Sequence, residues 1–422
     1  MIEPMTASAL HRAPLRRIAG LALPALVVLA AEPLYVLVDT AVVGHLGRAP
    51  LAALAVGGAV MSVAAWLGTV LAYGTTGRSA RRFGAGDRAA AVAEGVQASW
   101  LALGVGLGMA LAAQVLAGPL ARTLAGVEAG VAAAAATWLR IAALGAPGLL
   151  LATAGNGWMR GVQDTRRPLY YVLGANALSA ALCPVLVYPA GLGLNGSAIA
   201  NAAAQTVSGA LFARALMRER VALRPRPEVI GRQLVLGRDL LLRGVVFQAC
   251  FLSAAAVAAR FGAAALGAHQ IALQLWMFCA LALDAVAIAA QSLIGAELGA
   301  GREADARALA RRSALPRLFS DDPQVYAEAA LAWPWFVGMQ PLAGVVFALD
   351  GVLIGAGDVR YMRNLTLVAA LGGFLPAIWL AYALDLGLGG IWAGLALFIV
   401  LRLVALLARL RSGRWAIPGA TL

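Results

Sequence analysis

The sequence predicts an all-α polytopic membrane protein with two pseudo-symmetric helical lobes. It predicts eleven transmembrane helices from an ancestral six-plus-six plan, the equivalent of the ninth being absent. Three observations predict this. Of 422 residues, 62% are hydrophobic and only 13% charged, with a mean hydropathy of +0.82. Arginines collect in alternate connections between apolar stretches. Two parts of the chain repeat one another at two fixed offsets.

The composition acts first. A soluble domain is about 45–50% apolar and about 25% charged, so too few charges exist here to cover a water-facing surface. Soluble enzymes and nucleic-acid modules are excluded on that ground. The formal charge of +13 comes from 33 basic residues, all arginine. They lie in short connections, as the positive-inside rule requires, and none interleaves with aromatic residues as a strand-binding groove would. No nucleic-acid partner is therefore expected. Cys183, Cys250 and Cys279 are scattered in apolar stretches, which gives neither a disulfide framework nor a metal-spaced pair. Arg12, Arg16 and Arg17 precede an apolar run that continues through Glu32 and Pro33 to about residue 43. That is too long for a cleaved signal core, so the run is expected to be the first span.

A spanning helix needs roughly 20 apolar residues. Such segments fall at 15–43, 50–76, 95–117, 129–158, 168–188, 196–216, 238–259, 264–295, 325–355, 364–383 and 388–409. A short amphipathic piece is expected at 83–94. Three regions follow: an N-lobe of six spans over 1–216, a cytoplasmic linker over 217–236 and a C-lobe of about five spans over 237–422. The linker carries Arg218, Arg220, Arg224, Arg226 and Arg232. The arginine clusters place the N-terminus in the cytoplasm and the chain in the inner cell membrane, and the alternation holds up to residue 312. Beyond it, the count is out by one helix.

The repeat accounts for that helix. Gly193-Leu194-Asn195-Gly196 answers Gly387-Leu388-Gly389-Gly390 at an offset of 194, as Pro147 answers Pro341 and Asp164 answers Asp358. Earlier in each half the offset is 215, pairing Gly84-Ala85-Gly86 with Gly299-Ala300-Gly301. The offsets differ by 21 residues, one membrane helix. Where the first half has its third span, the second has 303–324, with Glu303, Asp305, Arg311, Arg312, Asp321 and Asp322, too charged to span. The last three helices then either keep their sides or invert, and the sequence leaves both open. Complete repeats would begin and end on one side, so they are parallel, a plan used by transporters. Pro24, Pro33, Pro147, Pro184, Pro334, Pro341 and Pro376 interrupt spans, which cavity-lining helices tolerate.

Ionisable groups at membrane depth are costly and mark function. Glu32 and Asp39 lie seven apart on the first span and share a face with Tyr35. Asn156 and Asn176 are candidates to complete this cation-coupling site. In the second half, Gln270, Gln274, Asp284 and Gln291 follow one stripe of the eighth span, with Asp350 on the tenth. Together with Tyr35, the residues Gln270, Gln274, Asp284 and Asp350 are candidates for a substrate cavity. Asp350 is the repeat partner of Asn156, whereas Asp39 answers Ala254, so the lobes are chemically unequal. A carboxylate whose hydration changes can alternate between protonated and ionised forms, and the same oxygens suit Na⁺. Each carboxylate could instead simply pair with a fixed donor.

Glu32-Pro33-Leu34-Tyr35-Val36-Leu37-Val38-Asp39-Thr40, followed by Gly44-His45-Leu46-Gly47, resembles the first-helix signature of multidrug and toxic compound extrusion (MATE) transporters of the DinF-like branch. Ala268-His269-Gln270-Ile271-Ala272, the run from Leu349 to Asp358 and the Gly-Ala-Gly turns at 84–86 and 299–301 extend the resemblance over nearly the whole chain. The resemblance implies a two-lobed, twelve-helix antiporter. It would expel organic cations and other amphipathic compounds on inward H⁺ or Na⁺ movement. A monomer in the bilayer is expected, with no cofactor and no firm metal site beyond Na⁺ at Asp39 and Asn176. It further implies that Asp39 is the first-helix cation-binding aspartate and Asn176 its fifth-helix partner. Ala180 stands where some relatives carry an acid, and Gln248 where Na⁺-coupled relatives carry Glu. Both departures favour H⁺ over Na⁺.

Three rivals remain at this stage. A lipid-precursor flippase would want cavity cations, for which Arg140 and Arg243 are the candidates. A membrane prenyl- or glycosyltransferase would want paired acidic motifs, of which Asp321-Asp322 is the sole adjacent pair. A variant made transport-defective by the absent helix is the third.

Overall fold

The computed structural model describes residues 7–125, 129–260, 263–302 and 323–416. Regular structure among the described residues is helical, with no strand. A chain this apolar has to satisfy its backbone within each segment, and in lipid a helix does so. In chain order the helices are α1 (Ala7–Gly44), α2 (Arg48–Gly84) and α3 (Arg88–Ala125). Next come α4 (Ala129–Ala142 and Ala146–Gly161), α5 (Arg166–Val187), α6 (Gly193–Arg218) and α7 (Pro227–Arg260). The last are α8 (Ala263–Gly299), α9 (Pro323–Ala356), α10 (Val359–Ala369 and Leu375–Ala383) and α11 (Gly387–Ser412). Each expected span thus has its helix. Nine stretches among the described residues are long and apolar enough to cross a membrane. Within α9 the shorter stretch Pro341–Ala356 is apolar, and α6 carries Asn195, Asn201, Gln205 and Thr206 along its length. The polytopic all-α fold expected from composition stands.

Two breaks in helical register have a common cause. A 3₁₀ turn at Ala143–Gly145 precedes Pro147, and a π turn at Ala370–Phe374 precedes Pro376. Proline cannot donate to the carbonyl four residues earlier, and its ring crowds that turn, so the register shifts there.

Two expectations need correction. No separate amphipathic piece exists at 83–94: α2 runs to Gly84, a turn occupies 85–87, and α3 begins at Arg88. The inter-lobe linker is shorter than 217–236, because α6 continues to Arg218 and α7 starts at Pro227, leaving 219–226 outside helices. Proline is well tolerated in a helix's first turn, where its missing N–H would be unpaired anyway. The stretch 303–322, where the ninth span is expected to be lost, lies outside the described residues.

The repeat is visible in the backbone. At the 215 offset, Gly86 and Gly301 both take positive φ, 84° and 74°. The turn bonds match as well: Gly86 N donates to Phe83 O as Gly301 N does to Leu298 O, and Asp87 N to Arg82 O as Arg302 N does to Glu297 O. At the 194 offset, Gln163 (φ 63°) answers Gly357 (81°), Gly191 (67°) answers Asp385 (52°) and Gly193 (50°) answers Gly387 (59°).

The chain divides into two compact units, Pro24–Leu234, and Val235–Leu422 together with Met1–Leu23. In the first, α4 and α6 touch at backbone level: a Cβ on Gly209 would stand 2.6 Å from Gly148 Cα. That approach draws Trp138 of α4 and Ser197 of α6 together. In the second, a Cβ on Gly351 of α9 would stand 2.2 Å from the carbonyl oxygen of Ala287 of α8.

Candidate cation-coupling site

On α1, Ala31, Tyr35, Asp39 and Val43 are buried at a four-residue spacing, while Leu34 and Leu37 are exposed. This is the face that a helix packed on one side by protein would bury. It carries Asp39 inward, with a relative exposure of 5%. The Cys183 thiol of α5 donates to Asp39 Oδ1 over 3.1 Å. Ser197 of α6 is its other side-chain hydrogen-bond partner. The indole Nε1 of Trp138 donates to Ser197 Oγ over 3.2 Å. Since an indole N–H only donates, the serine oxygen accepts from it and its own hydrogen is free to turn to the carboxylate.

Tyr35, one turn earlier, accepts from Asn201 Nδ2 at 3.1 Å, and Tyr188 Oη donates to Val42 O at 2.6 Å, fastening the end of α5 to α1. A shallow cavity of about 320 Å³ lined by Ala133, Ala134, Thr137, Leu192, Leu194 and Asn195 borders Trp138 and Ser197 in sequence. The partners of Asp39 among the described residues are thus neutral donors. A buried charge without a countercharge is costly, so such a group is most stable carrying a proton or a cation. Among the described residues no three His, Cys, Asp or Glu gather as a metal site.

The other expected site residues are placed differently. Glu32 lies two turns before Asp39 and is exposed. Asn176 on α5 is half-buried, and neither it nor Asn156 is a hydrogen-bond partner of Asp39. Asn156 is 7% exposed, and its Oδ1 has no hydrogen-bond partner among the described residues. The side chains of Gln270 and Gln274 lie outside the described ones, and Asp284 is half-buried on α8.

Asp350 is not an open acceptor. Arg402 Nη2 of α11 donates to its Oδ1 and Oδ2 at 2.8 and 2.7 Å, and Arg243 Nη2 of α7 also pairs with it. Arg402 is 2% exposed and lies 4.8 Å from the Phe247 ring centre.

Sequence reasoning missed Cys183, Ser197, Trp138 and Asn201, and it missed Arg402. The last had a signal: an arginine within the apolar run Val400-Leu401-Arg402-Leu403-Val404 is a membrane-depth charge needing a partner.

The MatE family model matches residues 24–185 and 240–315, more than half of the 422 residues. The chain belongs to the MatE family. The first matched segment contains Asp39, Trp138 and Cys183. Protein DETOXIFICATION 44, chloroplastic, of Arabidopsis thaliana is 33% identical over 438 residues, covering 94% of this chain and 83% of that protein. DNA damage-inducible protein F of Escherichia coli (strain K12) is 31% identical, covering 94% and 92%. A solved outward-facing conformation of a multidrug resistance MATE family transporter of the MOP superfamily shares the fold, with a TM-score of 0.78, 22% identity and 95% of each chain covered. The MATE resemblance with its DinF-like branch, expected from the first-helix signature, is met, and this MatE chain is a multi-pass membrane protein of a transporter family.

Proposed function

We propose that this MatE family member is a secondary active efflux antiporter, not an enzyme, that exports organic cations and other amphipathic compounds against inward H⁺. Asp39 is the coupling carboxylate in this reading. The observation that carries it is the buried Asp39, whose partners among the described residues are neutral donors. A proton on Asp39 removes a charge that the surroundings do not balance, and its release when the site is hydrated restores the charge. The partner set favours H⁺ over Na⁺. A hard cation wants oxygen lone pairs, whereas Cys183 offers a thiol and the Ser197 oxygen already accepts from Trp138. The arginine distribution supports a cytoplasmic N-terminus, and in this reading the membrane is the inner cell membrane.

The flippase alternative gains nothing from its candidate cations. Arg243 is paired with Asp350, and Arg140 Nε is bound to Gln114 O at 3.2 Å. The acidic pair of the transferase alternative, Asp321-Asp322, lies outside the described residues.

The test is Asp39→Asn in proteoliposomes with an imposed pH gradient and a fluorescent organic cation. Gradient-driven efflux is expected to vanish while the thermal unfolding profile stays near that of the native protein. Efflux at the native rate would overturn the assignment.

A further inference from the structure

The short link 219–226 is not a loose tether. Gln97 of α3 grips it from both sides of Pro225: its Nε2 donates to Arg224 O at 3.0 Å, and Arg226 N donates to its Oε1 at 2.6 Å. Trp100 Nε1, one turn along α3, donates to Leu223 O at 2.7 Å. Arg88 holds Glu219 at 2.9 Å, and Gln233 Nε2 of α7 donates to Glu94 O at 3.1 Å. The segment is thus fastened along α3, within the compact unit Pro24–Leu234.

What the fastening displays is charge. Arg214, Arg218, Arg220, Arg224, Arg226 and Arg232 are all exposed. The carboxylates beside them are already taken: Glu219 by Arg88 and Arg167, and Glu94 by Arg78 and Arg82. None of the six has a carboxylate within salt-bridge distance among the described residues, and Glu228 is the one acidic residue of the stretch outside those pairs. Met217, Leu223 and Trp100 are exposed between them at 57%, 42% and 43%. Indole rings and apolar side chains among arginines at the end of spanning helices suit the layer where headgroups meet acyl chains. Guanidinium groups bind phosphate oxygens in pairs of parallel hydrogen bonds, and a backbone already fixed loses less entropy on binding.

We propose that the link and its flanks, residues 214–232, form a preorganised binding surface for the headgroups of anionic phospholipids. Arg220, Arg224 and Arg226 hold the phosphates, Trp100 and Leu223 enter the interfacial layer, and Gln97 is the positioning residue. The source is the membrane itself and not free phosphate. A juxtamembrane arginine of this kind is worth about fivefold in lipid affinity, so three of them account for a preference of order 100-fold.

The test uses the full-length protein in nanodiscs of phosphatidylglycerol and phosphatidylcholine, measuring which lipid is retained around it. The native protein is expected to enrich phosphatidylglycerol and to lose that enrichment at high salt. A variant combining Arg220→Gln, Arg224→Gln and Arg226→Gln should retain the two lipids alike, and Gln97→Ala should lower the enrichment several-fold with every arginine in place. An unchanged enrichment in the triple variant, or in native protein at high salt, overturns the surface. An unchanged enrichment in Gln97→Ala overturns the preorganisation. Displacement of phosphatidylglycerol by millimolar inorganic phosphate would overturn the lipid in favour of a free-phosphate site.

Discussion

Replacing Asp350 by asparagine removes one negative charge where two guanidinium groups converge and changes almost nothing in volume. In the native protein, Arg402 reaches both carboxylate oxygens, at 2.8 and 2.7 Å, and Arg243 pairs with one of them. Arg402 has nowhere to turn: it is 2% exposed, against 15% for the side chain of Arg243. Removing one partner of a buried ion pair costs about 3–5 kcal/mol, because the remaining charge is stranded. The Phe247 and Phe398 rings, 4.8 and 5.7 Å from the Arg402 guanidinium carbon, contact it in both proteins and so offset none of that loss. A loss of about 3–5 kcal/mol is a large share of a native stability that is typically about 5–15 kcal/mol.

The assay is thermal unfolding of the purified protein in detergent, beside efflux in proteoliposomes. Asp350→Asn is expected to unfold roughly 3–6 °C lower. A triple replacement, Asp350→Leu with Arg243→Met and Arg402→Met, should recover most of the loss, since apolar residues of similar volume often substitute for a buried ionic cluster without penalty. The reasoning fails if Asp350→Asn unfolds with the native protein yet no longer transports. Asp350 would then be an open binding carboxylate, the role its position in the sequence first suggests.

At Cys183, the thiol is one of two side chains that favour the ionised form of Asp39. Cys183→Ala should move the pH midpoint of efflux upward and Cys183→Ser should return it toward or below the native value; identical pH profiles for all three proteins would remove the thiol from coupling. On α9, Gly351→Ala sets a Cβ 2.2 Å from Ala287 O and should destabilise by about 1–3 kcal/mol. Gly338→Ala in the same helix meets nothing within 4 Å and should be neutral or stabilising by about 0.5–1 kcal/mol; equal melting shifts for the two would refute the close approach.

The spans were legible because bilayer energetics act locally: an apolar run of sufficient length forms a helix whatever its neighbours do. The repeat was legible for a related reason, since glycines with positive φ such as Gly86 and Gly301 mark turns that the duplication kept. The pairings were not. Asp39 meets Cys183 across 144 residues of chain, and Asp350 meets Arg243 across 107, and helical periodicity says nothing about which faces of two distant helices meet. The same gap hid the true length of the link between α6 and α7. Whether a polar stretch between spans is loop or helix depends on a cap such as Pro227 and on partners such as Gln97, Trp100 and Glu94.

The two offsets turn these pairings into an argument about the halves of the chain. At the positions answering Asp39, Cys183 and Ser197, the second half has Ala254, Ala377 and Ile391, none able to accept or hold a proton. At the positions answering Arg243, Asp350 and Arg402, the first half has Val28, Asn156 and Ser208, none of them charged. Each half therefore keeps a polar cluster where the other has neutral side chains, and the clusters differ in kind. In the second half, the carboxylate is clamped by two guanidinium groups, and protonating it would strand them. In the first, the partners of the carboxylate among the described residues are neutral donors, so a proton can come and go without breaking an ion pair there. A coupled transporter needs one group whose charge changes within a framework whose charges do not. On the coupling role proposed for Asp39, the first half holds the changing group and the second the fixed ones.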